Sequence, residues 1–389
     1  MNYILFDDSR EKLLPLTFTR PVCELRIGIL TIREKWEARL KTSTSTLTQD
    51  YLRVKYPLLE SDENVLINGG VCPSGELVSA IRSLDLGQKL VKSGKLIAYR
   101  FHGSAVAANL NASDGIEYKN EITVVERPWD IFSCNGEEIN ADFEILTANR
   151  QSAKLSDSNL VIGSGQIFLE DGAKAEASIF NTSAGPIYLG KNTEVMEGSI
   201  IRGPFALCEE SQVKMGAKIY GPTTVGPHSR VGGEVNNSVI IGYSNKGHDG
   251  FLGNSVLGEW CNLGADTNNS NLKNNYDEVR VWSYEDKRFA KTGLQFCGLI
   301  MGDHSKSGIN TMFNTGTVVG VSTNVFGSGF PRTFIPSFSW GGAAGFTEYT
   351  KEKAFATAAR VMERRGKTFD LAEESILSAV FDLTKSYRS

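Results

Sequence analysis

The sequence predicts a three-part architecture: an α/β domain over residues 1–150, a parallel β-helix over 155–342 and a pair of helices over 347–389. Two observations carry the prediction. First, an aliphatic side chain recurs at every sixth position, at Leu189, Val195, Ile201, Leu207, Val213, Ile219, Val225 and Val231. At 100° per residue such positions walk around an α-helix without forming a stripe, and a strand alternates with period 2, so neither element explains the run. A chain that lays down a short strand, turns a corner and repeats does explain it. Three sides close one coil, and coils stacked at roughly 4.8 Å gather every sixth side chain into one interior column. Second, 28 of the 39 glycines lie between Gly163 and Gly342 and only nine precede them, so the composition changes where the beat begins. Glycine and asparagine suit corners whose backbone needs positive φ.

Each element follows in order. Tyr3-Ile4-Leu5-Phe6 and Asn64-Val65-Leu66-Ile67 read as buried strands, and residues 77–90 have helical spacing. The six-residue beat fails at 235–250 and again in a polar excursion at 268–293. A solenoid accepts insertions at its corners because the flanking coils still stack, so these breaks are where a binding surface is expected. Tyr349, Phe355, Ala358, Val361 and Met362 then recur at helical spacing up to Gly366, and a helix from Asp370 sets Ile376, Val380, Phe381 and Leu383 on one face. This pair is expected to cap the open end of the solenoid, where strand edges would otherwise lie unpaired.

Composition narrows the function classes. A hydrophobic content of 41% supports a large core, and a net charge of −4 with no basic run argues against nucleic acid while leaving room for one small phosphate. No apolar run approaches 18 residues and residues 1–6 are too short for a signal segment, so a cytoplasmic protein without membrane contact is expected. The six cysteines are scattered without CxxC spacing, which predicts reduced, buried thiols and no metal centre.

The chemistry concentrates at the breaks. His248 stands between Gly247 and Asp249 on the first, which favours an exposed imidazole, although a solvated loop histidine has the same signature. Asn262-Leu263-Gly264-Ala265-Asp266-Thr267 and the following amide-rich stretch through Asn271 and Lys273 offer donors and acceptors for hydroxyls, or simply corner residues.

Gly247-His248-x-x-Phe251-Leu252-Gly253 and Asn262-Leu263-Gly264-Ala265-x-Thr267, set in such a repeat, resemble the acetyltransferase half of bifunctional N-acetylglucosamine-1-phosphate uridylyltransferase/glucosamine-1-phosphate acetyltransferase (GlmU). The resemblance implies a left-handed β-helix of hexapeptide repeats, a homotrimer, acetyl-CoA as cosubstrate and an amino sugar 1-phosphate as acceptor. It implies His248 as the general base, Asn262 against the sugar and Asn271 near the reacting amine. Phe251 replaces the family's Tyr, and Asn236 and Asn237 stand near its phosphate-binding Lys, so Lys218, Arg230, Lys246 and Lys273 are the candidate substitutes. The CoA stretch implied is Met301-Gly302-Asp303-His304-Ser305-Lys306 and the coil through Gly320: Gly302, Ser305 and Gly320 to meet pantetheine, Lys306 a phosphate. Ordinary coil corners account for these residues equally, and His304 is the second candidate base.

At the amino terminus, Leu14-Pro15-Leu16-Thr17-x-x-Arg20-Pro21 resembles part of the sugar-phosphate nucleotidyltransferase signature, with Arg20 for the family's Lys. The glycine-rich loop of that signature is replaced by Phe6-Asp7-Asp8-Ser9-Arg10, and Gly70, after Asn68, occupies the position of its Mg²⁺-binding Asp. The resemblance therefore implies a repurposed nucleotide site at Asp7, Asp8, Arg20, Asn68 and Gly70, using Mg²⁺ only if it is active. Two alternatives to acetyl transfer stand beside it: sugar-1-phosphate nucleotidyl transfer on a trimerising β-helix, and non-catalytic binding of a sugar nucleotide.

Overall fold

The computed structural model describes residues 1–388. The amino-terminal domain is a six-stranded mixed sheet built from β1 (Asn2–Phe6), β2 (Ser45–Leu47), β3 (Glu63–Asn68), β4 (Lys89–Lys92), β5 (Lys95–His102) and β6 (Ile116–Glu117), ordered β2-β1-β3-β5-β4-β6. Around it lie α1 (Ile32–Leu40), α2 (Gly75–Arg82), α3 (Pro128–Ser133) and α4 (Asn135–Thr147). The helix expected over 77–90 ends at Arg82 instead. Asp85 and Gln88 close a turn on each other and Gly87 adopts φ 84, so the chain reverses into β4.

From residue 160 the chain winds a three-sided parallel β-helix. Its first face opens with Leu160–Ile162, its second with Ile167–Leu169 and its third with Lys174–Ala175, each continued by parallel pairing to the next coil. The eight beat residues from Leu189 to Val231 are all at most 1% exposed, so the sixth-residue periodicity is the interior column. Both expected breaks are visible in the register of the third face. Val213 pairs with Val231 18 residues on, Val231 with Lys246 after only 15, and Asn262 with Lys306 after 44.

The second face is buried on both sides. Ile187–Leu189, Phe205–Leu207 and Thr223–Val225 have no exposed residue, because the amino-terminal domain packs against them. Asn135 at the start of α4 accepts from Gly28 N (2.8 Å) and Thr224 Oγ1 (3.1 Å), while Thr224 donates to Gly28 O (2.8 Å). The 268–293 excursion, expected as a binding surface, is a clasp. Its hairpin, Arg280–Ser283 with Arg288–Lys291, buries Val281, and Tyr284 beyond its first strand packs edge-on against Phe18.

The helical pair is α5 (Lys351–Glu363) and α6 (Leu371–Leu383), the latter capped by the Asp370 carboxylate on Ala372 N and Glu373 N. It does not plug the solenoid end. A hairpin, Ser339–Gly342 with Gly345–Glu348, closes the third face there, and the helices run back along its side, where Arg365 donates to Asn245 Oδ1 (3.0 Å) and Lys55 of the first domain pairs with Glu373. The apolar face of α6 meets Phe338 at the corner of the last coil and the segment around Tyr51 of the first domain. All six cysteines are free, and five are buried. Among the described residues no helix is long and apolar enough to cross a membrane.

Candidate active site

Successive third-face strands present alternate side chains outward, so Arg230, Asn245, Asn262 and Lys306 form a column on the outer surface. The last turn of α5 and the residues after it lie across this column and enclose a cleft of about 750 Å³. His248, thrown outward by the corner that follows the third face, stands exposed on its rim. Its ring makes no hydrogen bond to a described residue, whereas its backbone carbonyl is held from inside by Lys246 Nζ (2.6 Å).

The cleft is strongly cationic. Lys214, Arg230, Lys306, Arg364 and Arg365 line it and no carboxylate does. Burial, with Arg230 and Arg364 nearby, lowers the pKa of Arg365, and burial beside Arg230 lowers that of Lys214. Burial brings Lys306 down to about 8. Uncompensated cations gathered on a concave wall attract an anion of several charges.

On the opposite edge four rings stack along one solenoid corner: His228 on Tyr243 (4.7 Å), Tyr243 on Trp260 (4.3 Å), Trp260 on His304 (6.2 Å). All four adopt left-handed φ, between 52 and 60°. The corner geometry thus repeats without glycine and is held by ring stacking.

Residues 3–151 match the sugar nucleotidyl transferase family model. The bifunctional protein GlmU of Methanocaldococcus jannaschii is 31% identical over 209 residues, 53% of this chain and 44% of its own. A bifunctional sugar-1-phosphate nucleotidylyltransferase/acetyltransferase of Sulfurisphaera tokodaii is 27% identical over 226 residues, 57% of this chain and 49% of its own. Over these stretches the chain is similar to both relatives. It spans about half the length of these curated relatives. Among solved structures, an Arabidopsis UDP-N-acetylglucosamine acyltransferase covers 61% of this chain and 90% of its own at 13% identity and a TM-score of 0.26.

Of the residues singled out in the sequence, His248, Asn262, Arg230 and Lys306 meet at the cleft. Several others are placed differently. Lys246 is interior, 2% exposed, its ammonium bonded to the carbonyls of Gly232 and His248, so it presents no charge to a phosphate. Lys273 donates to Glu278 O (2.7 Å) within the excursion, and Lys218 is exposed on the first face, away from the cleft. Phe251 also lies on the first face, and Asn271 bonds Asn254 Oδ1 (2.8 Å) at the next corner. Ser305 is fully buried, donating to Gly320 O (2.5 Å). A Cβ on Gly302 would come 3.0 Å from Gly320 C, and one on Gly320 2.3 Å from Ser337 N, so these glycines serve coil stacking rather than pantetheine. His304 is 7% exposed beneath Trp260.

In the amino-terminal domain the expected nucleotide residues are already engaged. Asp7 is held by Val22 N and the Thr48 hydroxyl, and burial raises its pKa. Asn68 donates to Asp8 (3.1 Å) and Leu96 O, and a Cβ on Gly70 would meet Val125 O at 2.8 Å. Arg20 leaves this site altogether and pairs with Asp303 and Glu259 of the β-helix. With both Asp7 oxygens bonded and Gly70 in place of a carboxylate, the donor set does not fit Mg²⁺.

Lys214, Arg364 and Arg365 are the site residues that sequence reasoning missed; Lys214 stands alone in the repeat without a local signal. The run Arg360-x-x-x-Arg364-Arg365-Gly366-Lys367 was visible, yet it reads equally as basic residues favoured at a helix carboxyl end.

Proposed function

We propose that the third-face cleft binds an acyl-CoA thioester and that His248 serves as general base in its transfer to the amine of an amino sugar 1-phosphate. One observation carries the reading: an exposed, unbonded imidazole on the rim of a cleft whose five cations face no carboxylate. The imidazole takes the proton as the amine nitrogen attacks the thioester carbonyl, the C–S bond breaks, and CoA leaves as the thiol with that proton. Arg230, Arg364, Arg365 and Lys306 meet the phosphates, and Asn262 meets a sugar hydroxyl. No covalent intermediate on the enzyme is required. The names of the bifunctional relatives point the same way.

The protein is further read as a cytoplasmic homotrimer. The second face is occupied by the amino-terminal domain, while Ile200, Met215, Ile309 and Phe326 are 40–71% exposed on the first face and its corner with the third, an apolar edge suited to neighbouring copies.

Thiol release from acetyl-CoA with glucosamine 1-phosphate tests the chemistry. Loss of the base should lower turnover about 10²- to 10⁴-fold in His248→Ala. Undiminished release in that variant would sink the reading. The match of residues 3–151 to a sugar nucleotidyl transferase model favours a second reading, nucleotidyl transfer in the first domain. It requires Mg²⁺-dependent pyrophosphate release from UTP or dTTP with a sugar 1-phosphate. Ligand binding without turnover in either assay would leave a sugar-nucleotide-binding scaffold.

A further inference from the structure

We propose that Lys246 is a positioning residue for His248, acting from inside the β-helix through the backbone of the His248 loop; this rests on the reading of His248 as the base. The interior column of the third face is aliphatic at Val195, Val213 and Val231, and the next position in register is Lys246. An aliphatic side chain would fill that space equally well but could donate nothing. Lys246 is 2% exposed and its ammonium bonds Gly232 O (2.9 Å) and His248 O (2.6 Å), joining the corners of two successive coils.

The coil that ends here is a short one, 15 residues from Val231 to Lys246 against 18 from Val213 to Val231. From below, the loop rests on backbone. A Cβ on Gly232 would lie 2.5 Å from Gly247 O, and one on Gly233, at φ +68, 2.9 Å from His248 O and 2.8 Å from Asp249 Cα. From above, a Cβ on Gly250 would meet Thr267 O at 2.3 Å. The imidazole itself has no partner that fixes it. Its place relative to the cleft is therefore set by this backbone, and Lys246 is the side chain that ties it down. Burial of the ammonium, which lowers its pKa to about 8, is a cost that a purely space-filling residue would not carry.

The test compares Lys246→Met, His248→Ala and, as an exposed control on the first face, Lys218→Met, in thiol release from acetyl-CoA with glucosamine 1-phosphate. A base displaced by about 1 Å loses up to about 100-fold in rate, so Lys246→Met should lower kcat about 10- to 100-fold with KM for acetyl-CoA within about twofold. A merely structural role would lower the melting temperature while leaving kcat of the folded protein unchanged. If His248→Ala is inactive and folded Lys246→Met keeps kcat within about twofold of the parent, the positioning role is wrong. If His248→Ala retains full activity, the base reading itself fails first. Should Lys246→Met not fold, Lys246→Gln, whose shorter side chain still ends in an N–H donor group, is read by the same criterion, with an intermediate loss of kcat expected.

Discussion

Arg20 of the amino-terminal domain is ion-paired with Asp303 of the β-helix, 283 residues away in sequence, and both side chains are at most 5% exposed. Thr19 Oγ1 donates to the same carboxylate (2.6 Å), whose other oxygen accepts from Glu259 N (2.8 Å). Glu259 adds a second pair to Arg20 at 3.2 Å. The basic residue of a nucleotidyltransferase-like signature is thus spent on holding two domains together.

Removing the guanidinium leaves Asp303 buried beside Glu259 without its cation. Breaking a buried pair from one side costs about 3–5 kcal/mol, so Arg20→Met should lower the urea midpoint accordingly, and Arg20→Lys should recover only part, because the shorter lysine carries a compact ammonium that is more strongly hydrated than a guanidinium. An unchanged midpoint in Arg20→Met would show that the domains are held elsewhere.

A neutral contact at the same interface gives a smaller expectation. Thr224 is fully buried with its hydroxyl between Gly28 O and Asn135 Oδ1. Thr224→Val preserves shape and removes the hydroxyl, leaving Gly28 O without that donor. The expected cost is about 1–3 kcal/mol in chemical unfolding, with activity at the third-face cleft unaltered. Loss of activity without loss of stability would contradict a purely structural role.

The interior column was readable because stacking imposes one strict period, and the beat from Leu189 to Val231 is its direct trace. Where the beat failed, the failure was readable but its use was not. The break at 235–250 carries the exposed His248, whereas the 268–293 excursion clasps the first domain through Tyr284 and Phe18. Nothing local separates those outcomes. Double-sided burial of the second face had left a trace in apolar runs such as Val239-Ile240-Ile241, which a short strand needs only if both of its surfaces are covered. The helices α5 and α6 followed from 3.6-residue spacing, but their place did not, since Arg365 and Asn245 are 120 residues apart. Lys246 looked like a surface cation because no local pattern announces a lysine turned inward.

The crowding of Arg365 against Arg230 and Arg364 has opposite consequences for stability and for binding. In the unliganded protein, Arg365→Gln removes a repelled cation and also the hydrogen bond to Asn245, two effects of opposite sign, so the melting temperature should hold nearly constant. Toward CoA the loss of a charge-assisted contact of about 1.5–3 kcal/mol should weaken binding about 10- to 150-fold, with a shallower dependence on salt. Titration calorimetry at two ionic strengths checks both halves. Unchanged affinity would place the phosphates elsewhere.

His304 supplies a pH prediction with a definite sign. Burial, reinforced by nearby Lys306, pushes its pKa down to about 3 from the ordinary 6.5, so the ring is neutral in the fold. Above pH 6.5 neither state carries the proton and the contribution is fully present. Between 6.5 and about 3 the unfolded chain binds a proton that the fold refuses, so stability falls as pH falls. At pH 5 that loss is on the order of 2 kcal/mol for this one group. His304→Phe keeps a ring to stack on Trp260 and cannot titrate. Urea unfolding of parent and variant at pH 7 and pH 5 should therefore show the difference between them shifting toward the variant by about that amount. A difference that stays constant would mean that the His304 ring takes up its proton in the folded state, as an exposed histidine does.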